Sequence, residues 1–171
     1  MKRFYIMVIM AAACLAAAAQ TERFNNETLN YKVMFKWGLV QKQAGRATLK
    51  LTDSKDKFVA TLYARSEPWA DHFYSLRDTL ISTMSRADML PTKYERIAHE
   101  GGSYARDVIS ITRTGNMFSG ESVRYRRKKN QKEITTSTIS LKAQGPTVDL
   151  LSVFYYLRTL DFKNISPGYS K

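Results

Sequence analysis

The stretch Leu29-Asn30-Tyr31-Lys32-Val33-Met34-Phe35-Lys36-Trp37 sets Leu29, Tyr31, Val33, Phe35 and Trp37 on one side and Asn30, Lys32 and Lys36 on the other. Successive side chains of a strand point to opposite faces, so this period of two predicts a half-buried strand over Thr28–Trp37. After a turn that includes Gly45, Ala47, Leu49 and Leu51 alternate with Thr48, Lys50 and Thr52, which reads as the second arm of an antiparallel hairpin. A third strand is expected at Lys57–Arg65, with Phe58, Ala60, Leu62 and Ala64 on one face, after the polar turn Asp53-Ser54-Lys55-Asp56.

Pro68 then interrupts the alternation. It lacks an amide for a ladder but suits a first helical turn, where Asp71 favours the dipole, so a short helix is expected from here to about Ser75. Further strands are expected at Arg77–Arg86, Thr92–His99, Tyr104–Arg113, Met117–Lys128 and Glu133–Lys142. Gly101-Gly102 and Gly115-Asn116 supply the positive φ that tight turns between them require. Over 147–161, Val148, Leu151, Phe154 and Tyr155 recur at helical spacing, and Leu150, Val153, Leu157 and Leu160 widen the stripe. The expected fold is mainly β: a curved antiparallel sheet or partly open barrel with one packed C-terminal amphipathic helix.

The N-terminus carries a different pattern. Lys2-Arg3, an apolar run from Phe4 through Leu15, and Ala16-Ala17-Ala18-Ala19 before Gln20 read as a secretory signal peptide cleaved after Ala19. The run is shorter than the roughly 20 residues a membrane span needs, so no stable transmembrane anchor is expected. Residues 20–171 then form a single β-rich domain that is periplasmic or secreted. The lone Cys14 lies in the leader, without the preceding leucine of a lipidation site. The exported part therefore has neither disulfide nor thiolate chemistry.

The chain has 27 Lys and Arg against 15 Asp and Glu. An exported basic protein meets anionic lipid headgroups and acidic glycans before nucleic acid, so the expected partner is a lipid or glycan of the cell envelope. No cofactor or metal site is expected, because His72 and His99 lack ligand spacing, and Glu100-Gly101-Gly102-Ser103 lacks the features of a phosphate loop. No Gly-x-Ser-x-Gly elbow supports a serine hydrolase. Two groups of residues stand out. Trp37, Trp69, Phe73, Phe154 and Tyr155 are candidates for the lining of an apolar ligand cavity between sheet and helix. Arg126, Arg127, Lys128 and Lys129, in the dense run Arg124–Lys132, are candidates for gripping anionic groups, with a solvated hairpin tip as the simpler alternative.

Several stretches together resemble the exported bacterial family catalogued as domain of unknown function 3108. They are Glu27-Thr28-Leu29-Asn30-Tyr31-Lys32-Val33 leading to Trp37-Gly38, then Ala44-Gly45-Arg46-Ala47-Thr48-Leu49, Arg77-Asp78, Leu90-Pro91 and Asp149-Leu150-Leu151-Ser152-Val153-Phe154-Tyr155-Tyr156-Leu157-Arg158. The last block is the most specific. The resemblance implies an exported β-rich domain without an established activity, and it transfers no site residues. Members of that family continue with further strands, whereas this sequence stops at Ser166-Pro167-Gly168-Tyr169-Ser170-Lys171, so it implies a domain lacking its C-terminal strands.

These readings converge on a non-enzymatic exported protein that binds an amphipathic or anionic envelope component. The alternative is an assembly protein pairing with an envelope partner through a strand edge. A third reading, an envelope glycan hydrolase, would use Asp71, Asp78 or His72.

Overall fold

The computed structural model describes residues 24–160. The expected leader and the Pro167-Gly168 strand start lie outside the described residues. Eight strands follow one another as a single antiparallel meander, each hydrogen-bonded to the next, in a curved sheet whose first and last strands do not pair. They are β1 (Glu27–Trp37), β2 (Val40–Ser54), β3 (Lys57–Ser66), β4 (Leu76–Ser85), β5 (Pro91–Glu100), β6 (Ser103–Thr114), β7 (Met117–Arg127) and β8 (Thr135–Gln144). A short helix α1 (Pro68–Asp71) links β3 to β4, and α2 (Ser152–Thr159) follows β8. No described helix is long and apolar enough to cross a membrane.

Burial with period two is clear in β3 and β4, but β8 is exposed except at Ala143. Tyr31–Lys36 are exposed on both faces, short of the half-buried strand expected over Thr28–Trp37, because β1 is the first strand of the sheet and pairs on one side alone. In β4 the alternation is strict, with Asp78, Leu80, Ser82 and Met84 buried and their neighbours half-exposed. Register carries the inner face across the sheet: Leu51, Ala60, Ser82, Tyr94 and Ile109 lie side by side, as do Leu49, Leu62 and Leu80. Phe24, Phe58, Met84, Met89, Leu151 and Tyr155 complete a core on that face. The Gly101-Gly102 turn is as the sequence predicts, with φ of 56° and 89° in a two-residue link between Glu100 and Ser103.

Three further expectations are corrected. Gly45 is not in the first turn: Gly38-Leu39 makes that turn, and Gly45 sits inside β2, where the register with β1 slips between Val33 and Met34. Ala44 is the extra residue of a β-bulge, here in the strand that pairs with the edge strand β1. The α1 helix ends at Asp71 rather than near Ser75, because the chain must turn back to the sheet, where the Leu76 N–H donates to Ser66 Oγ at 2.9 Å. The C-terminal helix begins at Ser152, not 147. Asp149 Oδ1 accepts the N–H groups of Leu151 and Ser152 at 2.8 and 2.9 Å, while the Asp149 N–H donates to Ser152 Oγ at 2.7 Å. This reciprocal cap fixes the start and leaves Pro146–Val148 outside the helix.

Gly45 also leaves no space for a side chain. A Cβ there would stand 2.9 Å from the Arg65 carbonyl oxygen. Gly45→Val is expected to cost about 1–3 kcal/mol through overpacking against backbone. Urea denaturation reads this as a lowered midpoint, and an unchanged midpoint would show that the strands can separate freely here.

Candidate functional site: an apolar groove under helix α1

The bulge at Ala44 and the helix α1 belong together. The Glu67 N–H donates to Ala44 O at 2.8 Å, carrying the β2–β3 register one pair past Gly45 and Ser66, and the Trp69 indole N–H donates to Gln43 O at 2.7 Å. Gln43 Nε2 donates to Glu67 Oε1 at 2.9 Å, and Arg46 pairs with Glu67 at 3.2 Å. At the far end of α1, Asp71 is held by Arg77 and Ser66. Arg77, first, and the Ser66 hydroxyl hold the Asp71 carboxyl below its ordinary range.

This docking leaves a groove of about 630 Å³ between α1 and the inner face of the sheet. Val33 and Phe35 of β1, Ala44 and Gly45 at the bulge, Ala64 of β3 and Leu76 of β4 form its floor and one wall. Trp69, Ala70, Phe73 and Tyr74 form the other. The aromatics are arranged edge to face, with Phe35 to Trp69 and Trp69 to Phe73 both at 6.3 Å between ring centres. Phe73 is 85 % exposed and Val33 53 %, so the groove presents large apolar groups to solvent. Arg46 and Arg65 border it, and Lys42 Nζ stands 4.7 Å from the centre of the Trp69 ring.

Of the five expected lining residues, the structure brings Trp69 and Phe73 together. The side chain of Trp37 lies outside the described residues. Tyr155 is fully buried in the core, and Phe154 packs on it at 5.2 Å, away from the groove lining. The block Asp149–Arg158 is therefore an anchor. Asp149 Oδ2 accepts from Ser82 Oγ at 2.7 Å, Leu151 and Tyr155 fill the core, and Arg158 pairs with Glu27 of β1 at 2.6 Å while lying over the Phe24, Phe154 and Tyr155 rings. The family described as "Protein of unknown function (DUF3108)" matches residues 30–171. The chain belongs to this family. No curated protein and no solved structure matches it.

The four expected anion-binding residues of this DUF3108 domain do not converge. Consecutive strand residues face opposite ways, so Arg126 lies on the inner face, where it pairs with Asp107 at 2.6 Å, and Arg127 lies opposite Tyr104 in the outer row. Lys128 and Lys129 are exposed in the turn that follows. Of the residues proposed for hydrolysis, His72 Nδ1 sits 3.0 Å from the Pro68 carbonyl and Asp71 is engaged by Arg77, while Asp78 lies on the inner face with Arg96. Among the described residues no group of three or more His, Cys, Asp and Glu is placed to hold a metal ion.

Beyond the groove the inner face changes character. Arg96 pairs with Asp78 at 3.0 Å and with Glu100, while Asp107 takes both Arg126 and Arg124, the latter at 3.3 Å. Burial pushes the Tyr94 hydroxyl up to about 12 and, with Glu100 nearby, raises the Asp78 carboxyl against the pull of Arg96. The folded protein thus holds the Asp78 proton more tightly than the unfolded chain does. This group favours folding most in acid, and that contribution falls as pH rises from the ordinary aspartate range through the raised value. Asp78→Asn is expected to flatten that part of the stability profile, measured as urea midpoints across a pH series. A profile that keeps its slope would contradict the raised value.

Proposed function

We propose that this DUF3108 protein is an exported, non-catalytic binding protein whose groove under α1 holds the apolar part of an amphipathic cell-envelope molecule. The groove itself carries this reading. It is of ligand size, has Ala44, Gly45 and Ala64 in its floor, is walled on the α1 side by three aromatics and is fastened by the hydrogen bond from its wall residue Trp69 to Gln43 O. A core defect would not be fastened at Gln43, Ala44, Glu67 and Trp69 by so many directed contacts. The leader-like N-terminus and basic composition support the envelope as the place where the ligand is met.

Native mass spectrometry of the full chain expressed in an exporting host tests both parts. The expected spectrum shows a protein beginning at Gln20 with a lipid-sized adduct that denaturation releases. An uncleaved chain would contradict export, and a folded protein without adduct that also ignores added long-chain amphiphiles would contradict binding.

A second reading, assembly through a strand edge, is favoured by β8. All its residues but Ala143 are exposed, Ile139 and Leu141 included, and no described strand pairs with its outer edge. Ser140→Pro would leave the β8 edge unable to extend a ladder. Loss of a hetero-association in this variant would support that reading, and retention would remove it.

A further inference from the structure

We propose that the polar group of the amphiphile is a hydrogen-bond donor, a hydroxyl or an ammonium, received by Asp78 and Glu100 where the groove floor ends. The inference rests on the groove reading above. Register places the two features side by side: Asp78 is the cross-strand neighbour of Ala64, and Glu100 of Leu76, and both Ala64 and Leu76 line the groove. Tyr74 joins them physically, since its ring lines the groove and its hydroxyl donates to Glu100 Oε2 at 3.2 Å.

Asp78 is only 9 % exposed. Its Oδ2 accepts from Arg96, and its Oδ1 has no partner among the described residues. A buried acceptor without a donor is costly, so the site is completed by any group that brings one. The charges point the same way. Two carboxylates share the single guanidinium of Arg96, which leaves this end of the groove one negative charge in excess when both are ionised. The next cations along the inner face, Arg124 and Arg126, are both engaged by Asp107. An acidic headgroup placed at Asp78 and Glu100 would meet two carboxylates whose shared Arg96 is already engaged, whereas a hydroxyl or ammonium would supply the missing donor.

The test is titration of the full chain with three chain-matched probes at neutral pH: a fatty alcohol, an alkylamine and a fatty acid. The alcohol and amine are expected to bind about tenfold or more tighter than the acid, the scale of one hydrogen bond to a charged group. The preference should disappear in Asp78→Asn and, independently, in Glu100→Gln, whose site is less buried. Amine tighter than alcohol identifies a cationic head, and equal binding of these two identifies a neutral one. Equal binding of all three probes, or a preference for the acid, overturns the headgroup inference while the groove reading stands. Binding of none overturns both.

Discussion

Tyr155→Ala is expected to lower stability by about 3–5 kcal/mol, the range for truncating a buried aromatic. Tyr155 is completely buried, meets Phe24 edge to face at 6.4 Å, and lies in the cluster that contains Phe58, Leu51 and Met84. Its loss would leave α2 held by Leu151 and the Ser82–Asp149 hydrogen bond at its start and by the partly exposed Arg158–Glu27 pair at its end. Urea denaturation measures the effect. A change below about 1 kcal/mol, well under that range, would mean that α2 does not close the core. Where the variant remains folded, groove binding should be unaltered, because Tyr155 is absent from the groove lining.

Trp69→Ala has the opposite profile. The indole is one wall of the groove, and its N–H fastens that wall to Gln43. Affinity for a long-chain amphiphile is expected to fall at least tenfold, or about 1.4 kcal/mol. Stability should fall by roughly 2 kcal/mol, below the cost of a fully buried aromatic because Trp69 is only half-buried. Trp69→Phe keeps much of the apolar wall but not the hydrogen bond, so it should fall between the two. If binding in Trp69→Ala matches the parent protein, α1 is not a wall of the site.

The sheet is legible where one face is buried, most clearly in β3 and β4, because burial writes itself into sequence as alternation; β1 and β8 alternate in sequence although most of their residues are exposed. The turns at Gly101-Gly102 and Gly115-Asn116 are legible for a local reason, the positive φ demanded at Gly101, Gly102 and Gly115. The bulge is not legible in the same way. A glycine amid alternating residues is its signal, but Gly45 equally suits a turn, and only the close approach of the Arg65 carbonyl distinguishes them. The start of α2 was misplaced because the helical spacing of Val148 and Leu151 runs through an Asp149 cap whose partners include Ser82, distant in sequence.

The candidate site was half visible. Trp69 and Phe73 stood out as aromatics beside a helix-starting proline, yet their partners Ala44, Ala64 and Leu76 are ordinary strand residues that register alone assembles. Conversely, Phe154 and Tyr155 read as ligand lining in the sequence, whereas in the structure their block, Asp149–Arg158, anchors the core. The inner-face cluster of Asp78, Arg96 and Glu100 was invisible in the same way, because each residue reads as one charge on a different turn of the pattern.

The central claim, an amphiphile held in the groove under α1, is tested most directly by fluorescence titration of the parent protein and Phe73→Asp with a pyrene-labelled fatty alcohol. Phe73 is almost fully exposed, so the substitution should change stability by no more than about 0.5 kcal/mol while placing a charge on the groove wall. The account predicts saturable binding by the parent protein and at least tenfold weaker binding by Phe73→Asp at equal stability. Equal binding by both, or none by the folded parent, would contradict it.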